Sequence, residues 1–258
     1  MSYPYYNDVL IVPKSLRKYC LESLHAGHLG ITKTKLKAKH YFYWPGLFSD
    51  VQNFIETCDL CQKFQPRKTK EHLHSHEVPT IPFYKIGLDI GEHKGNNFLI
   101  CVDYYSRWLE ILKIPSKSSS SCISVLKELF SRFGNPRFVI ADNVPFASAE
   151  FKNFSTAYNF EIITSSPMHP KSNGMAEKAV GIAKLMIKKC IDSNGDLNTF
   201  LFEYRNSPLP DLQLSPAQLL QSRILGSNLP IQVQKLKPVL NNLGNEILWF
   251  LFSFYVFS

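Results

Sequence analysis

The sequence predicts an α/β protein: a mixed sheet with helices on both faces, preceded by a small all-helical domain stapled by a metal ion. Three observations predict it. From Tyr84 onward, strand-like and helix-like segments run in the order βββ-α-β-α-β-α, which builds a mixed sheet with helices on its faces. Before residue 64 the apolar residues recur only at helical spacing. That first stretch is too small to hold itself together by burial alone, and it contains two histidines and two cysteines.

The elements come in this order. Leu16, Cys20, Leu21 and Leu24 recur at helical spacing, with Ser15 able to cap. A second, basic helix covers residues 32–39. Pro45 opens a third, with Leu47, Val51, Phe54 and Ile55 on one face and Asp50 in its early turns. Residues 64–82 are polar, carry three prolines and lack apolar periodicity, so they read as a linker. Strands at 84–90, 98–104 and 108–114, joined by short turns, read as an antiparallel meander. A serine run at 118–121 reads as a short loop. Then come a helix (121–133), a strand (137–141), a helix (147–158), a strand (160–164) and a long helix (173–192). From Gly226 the pattern loosens around Pro230 and Pro238, and the chain ends in an apolar stretch at 249–257. The predicted domains are therefore 1–63, a linker 64–82, a sheet domain 83–225 and an irregular, truncated tail 226–258.

Composition bounds the partners. The chain has 258 residues, 29 Lys+Arg against 21 Asp+Glu, and a net charge of +8. Hydrophobic residues make up 45%, which excludes wholesale disorder. Six cysteines are too few for a disulfide scaffold. The first six residues are polar and aromatic, unlike a secretory leader, and no apolar run reaches the roughly 18 residues of a membrane helix. The expectation is a soluble, intracellular protein. Residues 1–70 hold 11 Lys/Arg and 5 Asp/Glu, so six of the eight excess charges lie in the first quarter, favouring a polyanionic partner.

Two constellations carry chemistry. His25 and His28 lie ahead of Cys58 and Cys61, and N2S2 donors at this spacing suit a tetrahedral, structural Zn²⁺. His40 is the rival ligand, and His72, His74 and His76 in the linker are a weaker candidate. Cys20, Cys101, Cys122 and Cys190 share no ligand spacing and read as core. The second constellation is acidic. Asp89 sits mid-strand in an apolar run, where a charge is costly unless paired or bound to metal. Asp142 comes directly after the strand at 137–141, at its C-terminal end, where sites on α/β sheets gather. Glu177 lies in the first turns of the long helix. If the two strands are neighbours and the helix crosses their ends, three carboxylates meet and need divalent cations, which suits phosphodiester displacement. Asp103 is the alternative first-strand acid, although the Tyr-Tyr-Ser-Arg after it reads as a strand end and turn. Glu177, Val180, Gly181, Lys184 and Lys188 share one helix face, with Gly181 allowing close approach to a phosphate backbone.

Taken together, these residues resemble a family: the integrases of long-terminal-repeat retrotransposons, gypsy-like, and genes derived from them. The resemblance rests on His25-Ala-Gly-His28-Leu-Gly-Ile-Thr-Lys, Phe42-Tyr-Trp-Pro-Gly46, Cys58-Asp-Leu-Cys61-Gln, Val102-Asp-Tyr-Tyr-Ser-Arg-Trp108, Ala141-Asp-Asn143, Ser165-Ser-Pro-Met-His-Pro-Lys-Ser-Asn-Gly-Met-Ala-Glu177, Tyr204-Arg-Asn-Ser-Pro208 and Ser215-Pro-Ala-Gln218. It implies an HHCC zinc domain, with ligands His25, His28, Cys58 and Cys61, followed by a ribonuclease-H-like catalytic core. It implies catalytic acids at Asp89, Asp142 and Glu177, holding two Mg²⁺ or Mn²⁺; Lys184 and Lys188, which extend from Glu177 along its helix face, and Asn143 are the expected DNA contacts. The implied activity is polynucleotidyl transfer: trimming the 3′ ends of element cDNA, then joining them to target DNA in the nucleus, after passage through the cytoplasm, as a homo-oligomer and without a membrane. One departure is that 34 residues separate Asp142 from Glu177, one fewer than the common pattern. The alternative is a catalytically inactive, domesticated DNA-binding descendant. A cut-and-paste transposase shares the acids but not the HHCC module.

Overall fold

The computed structural model describes residues 5–6, 9–64, 79–164 and 174–239, with the backbone alone at 5–6 and 174–177. Most of the linker, its three histidines, the motif at 165–173, the Glu177 side chain and the apolar end lie outside the described residues.

The first body is helical, as its periodicity predicts, with a small sheet along one side. Strands β1 (Tyr5–Tyr6) and β2 (Val9–Ile11) precede helices α1 (Arg17–His25) and α2 (Ile31–Tyr41). A two-residue strand β3 (Phe42–Tyr43) pairs in parallel with β2 and leads to α3 (Leu47–Glu56) and α4 (Asp59–Lys63). These strands and α4 are too short for apolar periodicity to announce them. Ser15 does not cap α1: it lies inside a 3-10 turn, Lys14–Leu16, and α1 has no side-chain cap. Pro45 stands ahead of α3, whose N-cap is Gly46 in a left-handed conformation (φ +85°), which glycine adopts without penalty. Leu24, Ala38, Tyr41, Phe42, Trp44, Val51 and Ile55 form the core of this body. Leu229 joins them from the far end of the chain, so the irregular stretch after Gly226 packs back onto this body.

The second body is the predicted mixed sheet. Strands β4 (Lys85–His93), β5 (Asn96–Asp103) and β6 (Leu109–Ile114) form the antiparallel meander. Helix α5 (Ser119–Phe133), strand β7 (Phe138–Ala141), helix α6 (Ala149–Ala157) and strand β8 (Glu161–Thr164) come next, then helices α7 (Gly174–Asp192), α8 (Leu197–Arg205) and α9 (Pro216–Gln221). The strand order is β6-β5-β4-β7-β8, with β7 parallel to both β4 and β8. The serine run is not a loop: Ser118 is the N-cap of α5, its side chain accepting from the Ser121 amide, and the other serines form the first turn.

Side-chain alternation assigns the two faces. Ile86 and Leu88 of β4, with Leu99 and Cys101 of β5, pack with Leu126 and Phe130 of α5 and Phe151 and Phe154 of α6. Phe98, Ile100 and Val102 of β5 turn the other way and pack with Ala183, Met186 and Ile187 of α7 and Tyr204 of α8. On β4 the positions facing α7 are Gly87, Asp89 and Gly91. A Cβ at Gly91 would lie 3.2 Å from Ile100 Cδ1 and 3.5 Å from Ile187 Cδ1, so glycine there lets α7 sit close to the sheet. Cys20, Cys101, Cys122 and Cys190 are buried free thiols, as read from their apolar surroundings. Among the described residues no helix is long and apolar enough to cross a membrane.

Candidate functional site

Two centres emerge, and α7 links them. The first is built by the N-terminal helices. His25 ends α1, His28 lies in the turn after it, and Cys58 and Cys61 lie at the start and middle of α4. One ligand atom from each of the four lies within 4.8 Å of all the others. Cys58 Sγ is 3.4 Å from His28 Nδ1, and Cys61 Sγ is 3.4 Å from His25 Nε2 and 3.7 Å from His28 Nδ1. A tetrahedral Zn²⁺ with ordinary Zn–S and Zn–N bonds would have donor–donor edges of about 3.3–3.8 Å, and these three separations fall in that range.

Protonation supports the same reading. Burial, with His28 and Lys189 nearby, lowers the His25 imidazole to about 4, and burial with Lys189 also lowers His28. Both rings are therefore neutral and able to offer a lone pair. Burial raises the Cys61 thiol to about 11, partly opposed by Lys189, so a bound cation is what would make it a thiolate. The four residues thus fit a structural zinc, with every ligand position filled by protein. His40, the rival ligand, stands outside this group near the end of α2, where its carbonyl oxygen accepts from Lys235.

The second centre lies on the sheet. Strands β4 and β7 are in register as Lys85↔Phe138, Ile86↔Val139 and Gly87↔Ile140. Asp89 and Asp142 each stand two residues beyond that last pair. They therefore stand at the same level on neighbouring parallel strands, just past the point where the pairing ends. Asp89 is one-quarter exposed, and its Oδ2 is 2.6 Å from Lys184 Nζ on α7. Its Oδ1 accepts from the Ile90 amide at 2.7 Å. Asp142 is exposed at the end of β7. Position 177 lies on α7 seven residues before Lys184, hence two turns earlier and on the same side of the helix. A groove lined by Ile90, Gly91, Glu92, His93, Lys184 and Lys188 runs along β4 from here.

The other residues singled out from sequence are placed as well. Asp103 is buried and accepts from the Phe83 and Ser106 amides and the Ser106 hydroxyl, so it ties down the turn after β5. Lys188 is exposed, and Lys184 is turned towards Asp89 rather than away from the protein. Asn143 is exposed, and its carbonyl oxygen accepts from the Ala147 amide. Gly181 does not serve close packing: a Cβ there meets open space. The residue that sequence reasoning misses is Lys189. It is buried, unlike its neighbour Lys188, and donates to the His28 carbonyl oxygen at 2.7 Å. No spacing motif marks it, because its partner lies 161 residues away.

Against known proteins, the chain matches the integrase zinc binding domain over residues 12–67 and the integrase core domain over residues 79–170. It is 36% identical over 209 residues to an uncharacterized protein of Caenorhabditis elegans, covering 78% of this chain and 16% of that one. It is 27% identical over 189 residues to the Pro-Pol polyprotein of feline foamy virus, covering 70% of this chain and 16% of the polyprotein. It is 28% identical over 186 residues to a Tf2 transposon polyprotein of Schizosaccharomyces pombe, covering 67% of this chain and 14% of that polyprotein. The chain thus spans about a sixth of the length of these relatives. In fold it resembles a chain of a simian T-cell lymphotropic virus intasome, with a TM-score of 0.55 at 22% identity over 86% of this chain and 78% of that one.

Proposed function

Because this chain carries the zinc-binding domain and the core domain of the integrase family, in that order, we propose that it is a metal-dependent polynucleotidyl transferase of a gypsy-like retroelement. It trims the 3′ ends of element cDNA and joins them to target DNA. Water attacks the phosphorus in the first reaction and the element's 3′-oxygen leaves; in the second that freed 3′-hydroxyl attacks a target phosphodiester, whose own 3′-oxygen leaves. The observation that carries this reading is the placement of Asp89 and Asp142 at one level on adjacent parallel strands, beside Lys184.

In this reading Asp89, Asp142 and Glu177 hold two divalent cations, Mg²⁺ or Mn²⁺. Carboxylate oxygens suit these hard ions. When bound, they lower the cost of the attacking and leaving oxygens at phosphorus. The chain's own residues do the rest. Lys184 pairs with Asp89 and would be free to turn to the scissile phosphate if cations took up that carboxylate. Lys188, one turn on, extends the same cationic stripe along the backbone, and Asn143 flanks Asp142. Residues 1–63, with zinc held by His25, His28, Cys58 and Cys61, form one domain and 83–225 the other. The working form is a homo-oligomer, since two DNA ends are joined together, and it acts on chromatin in the nucleus.

The test is direct. The purified chain with Mg²⁺ or Mn²⁺ joins a labelled oligonucleotide end to a plasmid, and Asp142→Asn abolishes joining without changing the fold or the zinc content. Joining that survives Asp142→Asn refutes the acid assignment. DNA binding without joining in the unsubstituted chain returns the inactive, domesticated alternative.

A further inference from the structure

The two bodies are not beads on a string. Lys33 and Lys37 lie one turn apart on α2, on the side that faces α8. Lys33 Nζ sits 4.2 Å from the centre of the Tyr204 ring. The Lys37 side chain is 1% exposed and forms an ion pair with Glu203. Gly27, between the two histidines, is buried against the same Glu203. A third lysine comes from the other direction. Lys189 of α7 reaches into the first body, donating to the His28 carbonyl oxygen at 2.7 Å and lying 3.9 Å from Cys61 Sγ. It therefore touches the backbone of one predicted ligand and the sulfur of another.

Lys189 is five residues beyond Lys184, which meets Asp89. Five residues of helix span about 7.5 Å, so the lysine that meets Asp89 and the lysine that meets the HHCC group leave α7 at points about 7.5 Å apart along its axis. An α-helix is rigid over a segment this short. Whatever fixes Lys189 also fixes the height and rotation of Lys184 above the sheet.

We propose that Lys189 is a positioning residue that couples the HHCC metal site to the acidic centre: with the metal bound, Lys189 locks onto His28 and Cys61 and holds α7 where Lys184 meets Asp89. The proposal rests on the reading of His25, His28, Cys58 and Cys61 as a zinc site. It gives the small domain a task inside its own chain, in addition to any contact with DNA.

The experiment is hydrogen exchange on the full chain, with zinc content measured in parallel by a chromophoric dye. In the zinc-loaded protein the amides of α7 are protected. Chelation raises exchange by tenfold or more both at 17–63 and along α7. Lys189→Met retains one zinc per chain, yet its α7 exchanges at the rate of the chelated parent, and Lys189→Arg restores protection. Chelation that opens 17–63 while leaving α7 unchanged overturns the coupling, as does Lys189→Met with parental α7 protection. Should Lys189→Met not fold, the chelation arm on the parent decides alone. A chain that takes up no zinc overturns the metal reading and the coupling together, and the dye measurement identifies that case.

Discussion

Gly27→Ala tests the docking of the two bodies at its tightest point. Gly27 is buried, and its backbone angles do not require glycine, so the substitution adds one methyl group and nothing else. That methyl would overlap the Cβ of Glu203 and lie 3.1 Å from its Cγ. Carbon atoms settle about 3.5–4.0 Å apart, so the α1–α2 turn must move off α8 by about 1 Å. Close-packed interiors do not absorb such a shift, and overpacking of this kind costs about 1–3 kcal/mol. The same movement pulls Lys37 from Glu203, and a broken buried ion pair costs about 3–5 kcal/mol if it separates fully. Against this, alanine reduces the freedom of the unfolded chain and returns about 0.4–1 kcal/mol. The steric loss together with a partial weakening of the ion pair exceeds that return, and the expected net is a destabilisation of about 1–3 kcal/mol, or roughly 2–12 °C in Tm for a chain of this length. Thermal and urea unfolding of the zinc-loaded chain measure it. In a double-mutant cycle with Glu203→Gly, which removes the obstructing Cβ, the penalty of Gly27→Ala disappears. An unchanged midpoint, or a penalty that persists beside Glu203→Gly, refutes the docking argument.

The same geometry predicts other outcomes. Chelation of zinc removes the helical circular-dichroism signal of residues 17–63, because four short helices share a small core and lean on the metal; a signal unchanged by chelator contradicts this. Gly181→Ala, at an open helical position, raises stability by about 0.5–1 kcal/mol in denaturant unfolding. If DNA backbone passes close to this face, the same variant loses joining activity despite being more stable. Burial, with Lys178 nearby, lowers the Lys33 ammonium from 10.5 to about 8, only partly opposed by Asp211. Between pH 8 and 10.5 the unfolded chain then binds a proton that the folded chain does not, so stability rises with pH across that window. The stability of the parent relative to Lys33→Met accordingly grows from about pH 7.5 to about pH 10, and a difference that stays flat over that range argues against the half-buried placement of Lys33 against Tyr204.

Much of this protein is written in local pattern. The order of strands and helices after residue 84 is legible because period-two and period-3.6 repeats are strong there, and β4 and β7 emerge within a few residues of their predicted bounds. The four HHCC residues are legible because metal chemistry dictates donor type and spacing. Asp89 is legible because an acid inside an apolar strand demands an explanation. The short strands β1–β3 and helix α4 are not, since two to five residues carry no period. The serine run reads as a loop in sequence because a cap and a loop use the same residues, and only the amide that Ser118 caps tells them apart.

What the sequence by itself determined is the inventory: an N2S2 donor set, one acid inside a strand and one just after another, and a charge excess in the first quarter of the chain. What only the tertiary structure decided is where those groups point. In sequence Lys33 and Lys37 belong to a basic patch, yet they are turned inward onto Tyr204 and Glu203. Lys189, which no motif distinguishes from Lys188, is the one that reaches the metal group. Helical spacing fixes which residues share a side of a helix, but not which side meets a neighbour far along the chain. That is settled by how two bodies bury their surfaces against each other, a long-range property that no local window of sequence contains.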